Sequence, residues 1–304
     1  MTKPLAYLDG QFLEFTQMKI PVWDAGFVQG VTVAEQIRTF QGRLFRWDNH
    51  FDRLQDSLNI VGIDLGTGLD DLPRVAHQLI SHNYPLLTPG DDLGLSVFVT
   101  PGAYGAFAPL GSHGPTLGVH TYPVAFGGFA AQYESGGRLI ISRTRQIPES
   151  CWPPQLKCRS RMHYYLADHE ASQREPGSRA LLLDQTGHIS EASTANFLLY
   201  RRGEGFLSPR KEKILPGISV AVLQELAEQN GEQFHFQDLE VDEIWKCDEA
   251  FLCSTSPCLL PVVSVDGRPI GSGKPGPLFQ KMIDAWSRLV GIDIVEQAKK
   301  FAVR

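Results

Sequence analysis

The chain has 304 residues, of which 42% are hydrophobic and 20% charged, a composition that predicts roughly two globular domains and excludes a disordered chain. Its net charge of −6 argues against nucleic acid as the main partner, because proteins that bind the phosphate backbone usually carry a basic field. The sequence has no run of about 18 apolar residues that could cross a membrane, so no membrane partner is expected.

The first residues and the cysteines indicate the compartment. The opening stretch MTKPLAYLDGQF has no apolar signal core. The five cysteines are odd in number, form no Cys-x-x-Cys pair and begin only at Cys151. These features favour a reduced, cytoplasmic location.

The first third of the chain combines hairpins with helices. Asp9-Gly10 and Gln41-Gly42 each interrupt an alternation of apolar and polar residues, a pattern that predicts two β-hairpins. The other predicted elements are a helix at 48–62 with Asp48 or Asn49 as its cap and Gly62 as its stop, a helix at 69–83, and a buried strand at 94–102.

The hydrophobic pattern loosens at residues 121–137, where glycine and alanine cluster without a period. We therefore predict a small N-terminal α/β domain at 1–122, an interdomain linker at 123–136 and a larger domain at 137–304. The larger domain is predicted to contain, in chain order, a strand at 138–145, a helix ending near Glu175, two strands around a turn at 184–187, a helix closed by Asn230-Gly231, a strand at 248–253, a turn at Asp266-Gly267 and a final helix at 277–290. Loosely alternating strands and helices with recurrent hairpins are typical of the α/β (α+β) class.

Several common ligand-binding motifs fail in this sequence. GRPIGSGKPG lacks the spacing of a phosphate-binding loop and has Pro275 after Lys274. GISVA lacks the closing glycine of a nucleophile elbow. His163 and His169 have neither the spacing nor the glutamate of an HExxH motif, so no metal site is predicted.

A lone lysine stands out in PPQLKCRSRMHYYLA, residues 153–167. Lys157 lies between a helix break and a predicted helix start, with Arg159 and Arg161 beside it. A surface lysine explains this pattern structurally, whereas a Schiff-base lysine with cationic neighbours explains it functionally.

Three further features point to one ligand, although each alone is also explained by turns or helix capping. Glu191 follows a turn and is flanked by small residues that leave room for a flat molecule. Gly217, Ile218 and Ser219 open a helix whose N–H groups and hydroxyl suit a phosphate. Thr255 and Ser256 end a strand in a hydroxyl-rich loop.

Together, the four features match a ligand with an aldehyde, a basic ring nitrogen and a phosphate. Pyridoxal 5′-phosphate combines all three groups. A lysine condenses with the aldehyde, and a carboxylate keeps the ring nitrogen protonated so that the ring accepts electrons from a carbanion. Pyridoxal phosphate is therefore the predicted cofactor.

The order of these motifs resembles a known family. Lys157 is followed after about 34 residues by LLLD-x-x-G-x-I-S-E…N-F, then by L-P-G-I-S and by S-T-S…P-V. This pattern is similar to the fold-type IV, or class IV, pyridoxal-phosphate-dependent aminotransferases, and the segment from Asp24 to Leu58 resembles their N-terminal region. The resemblance implies a smaller N-terminal and a larger C-terminal α/β lobe, and a homodimer.

The resemblance also implies a role for each matching position. Lys157 is similar to the lysine that forms the Schiff base and moves the substrate proton, and Glu191 to the acid on the pyridine nitrogen. Arg53 matches an arginine on the phosphate, and Leu215 an apolar residue on the ring face. The other implied cofactor-binding residues are Arg161, Asn196, Gly217, Ile218, Ser219, Thr255 and Ser256.

The implied reaction is a ping-pong transfer of an amino group between small amino donors and 2-keto acids. The positions of the carboxylate trap of bacterial D-amino-acid aminotransferases hold Ala34, Ala106 and Ala108, so that trap is predicted to be absent. Candidates to hold the substrate carboxylate instead are Arg38, Arg159 and Tyr104, although Arg38 also fits a surface ion pair. We expect D-amino acids as substrates, and primary (R)-amines as an additional donor class.

Two other family activities, and a remnant that only binds the cofactor, remain as alternatives. Branched-chain L-amino-acid aminotransferases carry a tyrosine where this chain has Met162, with Tyr164 two residues later. Aminodeoxychorismate lyases share Arg38 and Arg161 but have a threonine in place of Gln36. A remnant is disfavoured because Lys157, Glu191 and Arg53 are all present.

Overall fold

A computed structural model describes residues 2–112 and 114–303. It divides into two compact units, Met1–Val124 with Leu156–Ser160 and Ala125–Gln155 with Arg161–Arg304. The mixed helix-and-sheet fold predicted from the sequence is confirmed. The bounds of the units differ from the predicted domain bounds at residues 156–160, because backbone hydrogen bonds tie this segment to Thr32 and Ala34.

The first unit is built on a six-stranded antiparallel sheet in the order β2-β1-β6-β5-β3-β4. Its strands are β1 (Leu5–Leu8), β2 (Gln11–Glu14), β3 (Val33–Phe40), β4 (Arg43–Leu44), β5 (Leu93–Thr100) and β6 (Thr116–Pro123). The two predicted hairpins are confirmed, and residues 9, 10, 41 and 42 all have positive φ. That conformation matches the twist of a two-residue hairpin turn.

Helices cover one face of this sheet. They are α1 (Ala25–Val28), α2 (Trp47–Val61) and α3 (Thr67–Asn83). Leu54 and Leu58 of α2 join Leu72 and Leu79 of α3 in a core against the apolar side chains of the sheet. The predicted stop at Gly62 is confirmed by its left-handed backbone. The predicted cap at Asp48 or Asn49 is wrong, because the residue that precedes the helix is Arg46, itself left-handed after β4.

The second unit contains a nine-stranded sheet in the order β12-β11-β10-β13-β14-β7-β8-β9, with β15 paired to β14. Its strands are β7 (Gly137–Ile141), β8 (Arg179–Leu183), β9 (Ile189–Ala192), β10 (Ala195–Arg201), β11 (Gly205–Ser208), β12 (Phe234–Phe236), β13 (Glu249–Ser254), β14 (Cys258–Val265) and β15 (Arg268–Pro269). Because β9 pairs with both β8 and β10, six of these strands form a closed circuit.

Five helices accompany this sheet, namely α4 (Gln132–Ser135), α5 (Met162–Arg174), α6 (Ile218–Gln229), α7 (Pro277–Val290) and α8 (Ile294–Lys300). The sequence analysis did not predict α8. It also predicted one strand where the structure has β9 and β10, separated by Ser193 and by Thr194 with φ of 61°. The Arg179 guanidinium holds this break by donating to the Ser193 carbonyl and the Thr194 hydroxyl.

Within residues 2–112 and 114–303, no helix has both the length and the apolar character needed to cross a membrane.

Candidate functional site

The predicted Schiff-base lysine lies in an extended segment of the first unit. The Ala34 N–H donates to the Lys157 carbonyl at 3.0 Å, and the Arg159 N–H donates to the Thr32 carbonyl at 2.8 Å. The Lys157 N–H donates to Oγ of Ser57 in α2 at 3.2 Å. Residues 157–159 therefore lie along the side of β3 opposite β5, with an isolated bridge between Val33 and Cys158, and Lys157 is half-buried there.

A buried charge cluster in the first unit surrounds the predicted phosphate-binding Arg53. Its Nε donates to Glu35 Oε1 at 2.7 Å and its terminal nitrogen to Oε2 at 2.9 Å, a two-point pairing that fixes the guanidinium plane. His50 Nδ1 lies 2.8 Å from the same Oε2. Glu35 and His50 are 1% and 3% exposed, so both act inside the fold.

Burial and ion pairing act in opposite directions on Glu35. Burial opposes its ionisation, but the charge of Arg53, hydrogen bonds from His50 and Arg53, and the charge of Lys157 outweigh burial and lower the Glu35 pKa to about 2. For His50, burial prevails over Glu35, and its pKa is lowered. The cluster at neutral pH is therefore a carboxylate with a neutral imidazole and a guanidinium.

Glu191 in the second unit is a buried carboxylate held by four donors. Oε1 accepts from Asn196 Nδ2 at 2.8 Å and from the Leu215 N–H at 2.9 Å. Oε2 accepts from Gln146 Nε2 and from the Tyr164 hydroxyl, both at 3.0 Å. Strands β9 and β10 supply Glu191 and Asn196 as a register pair, so the turn between them sets the geometry of the carboxylate.

Tyr164 holds Glu191 through a protonated hydroxyl. Burial, followed by the charge of Glu191, raises the Tyr164 pKa well above its usual value, so the phenol remains a donor. Its neighbour His163, whose ring centroid lies 4.0 Å from that of Tyr164, has its pKa lowered to about 4 by burial and by Arg161. Arg161 itself precedes the first residue of α5.

The predicted phosphate-binding loop leads into α6. A Cβ on Gly217 would collide with the side-chain oxygen of Asn196, so the close approach of this loop requires glycine. Among the described residues, none caps the start of α6 with its side chain, and Ile218 and Ser219 stand in its first turn. An N-terminus of this kind suits an anion.

Thr255 and Ser256 lie in the loop between β13 and β14. The register pair of Asn196 with Cys253 places this loop at the same end of the sheet as the turn between β9 and β10. The Tyr133 hydroxyl donates to the Pro257 carbonyl at 2.7 Å, and this hydrogen bond helps to fix the loop.

The structure therefore groups the predicted residues within each unit. The first unit contains Lys157, Arg53, Arg38, Arg159 and Tyr104, and the second contains Glu191, Asn196, Leu215, Gly217, Ile218, Ser219, Thr255, Ser256 and Arg161. Arg38 is 1% exposed with its Cζ 4.3 Å from the centroid of the Phe40 ring, so it is not a surface residue. Tyr104 follows β5, where its N–H donates to the Trp23 carbonyl at 2.8 Å.

The sequence analysis missed four supporting residues, Glu35, His50, Gln146 and Tyr164. A signal existed for His50, which lies three residues before Arg53 on one helix face. Glu35 was visible as the only acid in the predicted strand that became β3. Gln146 carries no such signal, because it meets Glu191 only through a contact 45 residues away in sequence.

Comparisons with known proteins identify the family. The family model for amino-transferase class IV matches residues 32–265. A D-alanine aminotransferase of Bacillus licheniformis is 28% identical over 280 residues, which cover 90% of this chain and 93% of that protein. A Methanocaldococcus jannaschii protein named as a candidate branched-chain-amino-acid aminotransferase is 27% identical over 284 residues, covering 91% and 93%.

Solved structures show the same fold. The branched-chain amino acid aminotransferase of Escherichia coli superposes with a TM-score of 0.85 at 23% identity and covers 95% of each chain.

Proposed function

The chain belongs to the class IV aminotransferases, and we propose from this premise that it moves amino groups between D-amino acids and 2-keto acids, with primary (R)-amines as a second donor class. As a member of this family it is a pyridoxal-phosphate-dependent transaminase. The match spans most of the chain, from Thr32 in front of β3 to Val265 at the end of β14.

The described residues fit pyridoxal phosphate. In the second unit, the close approach at Gly217 and the first turn of α6 suit a phosphate; in the first unit, the fixed guanidinium of Arg53 is also a group that binds phosphates. The buried, four-donor carboxylate of Glu191 suits a protonated pyridine nitrogen. When bound, the cofactor supplies an aldehyde carbon that exchanges amino groups and a ring that accepts electrons.

Each residue then has a defined task. Lys157 Nζ would hold the aldehyde and carry the proton of the substrate Cα. Glu191 would keep a proton on the ring nitrogen, and Asn196, Leu215, Gln146 and Tyr164 keep its two oxygens in place. Arg53, Ile218, Ser219 and Thr255 would hold the phosphate.

The single observation that best supports the transaminase chemistry is the anchored Glu191 carboxylate. Two donors hold each of its oxygens, and three of these four donors are neutral side-chain groups, so the carboxylate is fixed in place as a hydrogen-bond acceptor.

The D-amino-acid preference is supported by the similarity to D-alanine aminotransferases and by the position of Tyr164. Tyr164 packs against a buried cluster that includes Ala167 and Ala171, and its hydroxyl donates to Glu191, so it does not replace the tyrosine of branched-chain enzymes at the Met162 position. The similarity to the M. jannaschii protein favours branched-chain L-amino acids as the second candidate.

A donor panel separates these functions. Purified holoenzyme is mixed with D-alanine, L-leucine, (R)-1-phenylethylamine or (S)-1-phenylethylamine, and the cofactor absorbance is followed without a keto acid. D-Alanine is expected to bleach the cofactor, as is the (R)-amine. Bleaching by L-leucine alone would identify a branched-chain enzyme instead, and release of pyruvate from aminodeoxychorismate without a keto acid would identify a lyase.

The lysine assignment has its own test. Holoenzyme is reduced with borohydride and digested, and the peptide that carries the cofactor mass is sequenced. The tag is expected on Lys157, and a tag on any other lysine would contradict the assignment.

A further inference from the structure

One face of the sheet in the first unit is turned away from α2 and α3 and carries polar side chains. The strand registers align three rows across β6, β5 and β3 on this face. The rows are Gly118–Phe98–Ala34, His120–Ser96–Gln36 and Tyr122–Gly94–Arg38. Neighbouring residues in these strands, such as Ile37, Leu95 and Val119, point into the core on the opposite face.

Arg159 reaches across this polar face. Its backbone N–H bonds the Thr32 carbonyl at the edge of β3 remote from β5, yet its guanidinium donates to Oγ of Ser96 on β5 at 3.0 Å. The Arg159 side chain must therefore cross β3 on the sheet face that carries Ala34 and Ser96. Alanine at position 34 leaves room for it there, whereas a bulky aromatic side chain would compete for the same space.

The groups near Arg159 are neutral. Burial, and then the charge of Arg159, lowers the His120 pKa, so the imidazole is uncharged at neutral pH. Burial raises the Tyr122 pKa, although the charge of Arg159 acts in the opposite direction. The Tyr122 ring covers Gly94 in the row that ends at Arg38. Among the described residues that the registers place on this face of β3, β5 and β6, none is an aspartate or a glutamate. The Asp24 carboxylate meets this face at Thr100 and Thr116, at the end of β5 beyond Phe98. The two guanidinium groups therefore produce a positive potential around Ser96 and Gly94.

We propose that Arg159, oriented by Ser96, is a carboxylate-binding residue that recognises the carboxylate of the amino donor and of the keto acid. The hydrogen bond to Ser96 fixes the plane of the guanidinium, and a guanidinium of fixed plane binds a carboxylate through two hydrogen bonds. Arg159 is exposed while Ser96 is buried, so the anchor is rigid and the charged end is accessible to a ligand. The inference rests on the proposed transaminase function. It supplies a carboxylate contact in place of the trap whose positions hold Ala34, Ala106 and Ala108 in this chain.

Binding of an unreactive acid provides the first test. Propionate is titrated into holoenzyme by calorimetry for the wild type, Arg159→Met, Arg159→Lys and Ser96→Ala, with the exposed Arg143→Met as the matched control. Loss of charge-assisted hydrogen bonds should weaken propionate binding by about 10- to 100-fold in Arg159→Met. Arg159→Lys should show a smaller loss, and Arg143→Met should bind like the wild type.

Half-reaction kinetics provide the second test. Arg159→Met should raise the KM for D-alanine by a similar factor while kcat changes little, and should leave the kinetics with (R)-1-phenylethylamine within about threefold. Equal losses for the acid and the amine would assign Arg159 a purely structural role and overturn the proposal. Unchanged propionate binding in Arg159→Met would overturn it too.

The two tests keep the two claims separate. If the wild type binds propionate through Arg159 but no D-amino acid reacts, the proposed D-specificity fails and the carboxylate site stands. If D-alanine reacts with Arg159→Met as it does with the wild type, the site fails and the function stands. Thermal melts of Arg159→Lys and Ser96→Ala show whether the variants remain folded.

Discussion

Glu191 is the residue at which we expect the most conservative substitution to slow the half-reaction most. Glu191→Gln keeps the shape of the side chain but removes the charge that would hold a proton on the cofactor ring. We expect the half-reaction with D-alanine to slow by about 100-fold or more, the range in which one positioned acid or base acts. Stopped-flow absorbance measures this rate.

The matched control is Glu228→Gln, which changes an exposed carboxylate on α6 that accepts a hydrogen bond from Gln224 one turn earlier. This variant should react at the wild-type rate. Wild-type rates in Glu191→Gln would show that the acid on the ring nitrogen lies elsewhere.

Glu35 should be the most important carboxylate for the stability of the first unit. Glu35→Gln leaves Arg53 buried without its counter-charge, and breaking such a pair costs about 3–5 kcal/mol. Glu14→Gln breaks the exposed pair with Lys3 in the same unit and should cost less than about 1 kcal/mol. Urea unfolding followed by circular dichroism compares the two, and equal losses would contradict a special role for the buried cluster.

Acid should weaken the same cluster. The Glu35 pKa of about 2 lies below its ordinary 4.5, so its stabilising effect is complete above pH 4.5 and is lost as the pH falls toward 2. The His50 pKa is lowered from 6.5, so below pH 6.5 the unfolded chain binds a proton before the folded one and unfolding is favoured. Wild-type urea midpoints should therefore fall from pH 6.5 downward, and Glu35→Gln should flatten the part below pH 4.5.

Among the elements, α6 depends on how closely Gly217, the residue before its first turn, approaches Asn196 of β10. Gly217→Ala would push a methyl group into Asn196 and thereby disturb Glu191. We expect a loss of about 1–3 kcal/mol in stability, the usual cost of overpacking, together with weaker cofactor binding. Gly128→Ala adds the same methyl group in open space within the same unit and is the control. Cofactor affinity is measured by absorbance titration of the apoenzyme.

Hairpins and long helices could be predicted from the sequence because their signals are local. Asp9-Gly10 and Gln41-Gly42 specify their turns through backbone conformation alone, and Gly62 ends α2 for the same reason. The break between β9 and β10 could not be predicted, since it depends on Arg179 reaching the turn from another strand. The start of α2 was misplaced because Arg46, an unusual residue for a left-handed position, precedes it.

For the whole molecule, we expect a homodimer. Large apolar side chains are exposed in each unit, including Phe27 and Leu110 in the first and Met162 and Tyr165 in the second. Exposed apolar groups of this size are typical of interaction surfaces. Light scattering after gel filtration should give a mass near twice the 33.7 kDa of one chain, and a mass of one chain at micromolar concentration would contradict the expectation.

The candidate site was predictable only where chemistry needs a given residue type at a given place in the motif order. Lys157, Glu191 and the LPGIS loop carry such a signature. Tyr164 and Gln146 donate hydrogen bonds to Glu191, and Glu35 accepts them from Arg53. Such positions are defined by packing between distant segments. Their roles in the reaction stay predictions, as does that of Lys157, until the experiments above are done.

The route of the chain through Leu156–Ser160 has a consequence for biosynthesis. The first 124 residues leave the ribosome before the Leu156–Ser160 segment, which lies beside β3 in the folded unit. That segment is made only after residues 125–155. During synthesis, the side of β3 opposite β5 therefore stays exposed until Leu156–Ser160 has been made. A gene cut after codon 124 would give two polypeptides, and Lys157 would be carried by the one that lacks β3.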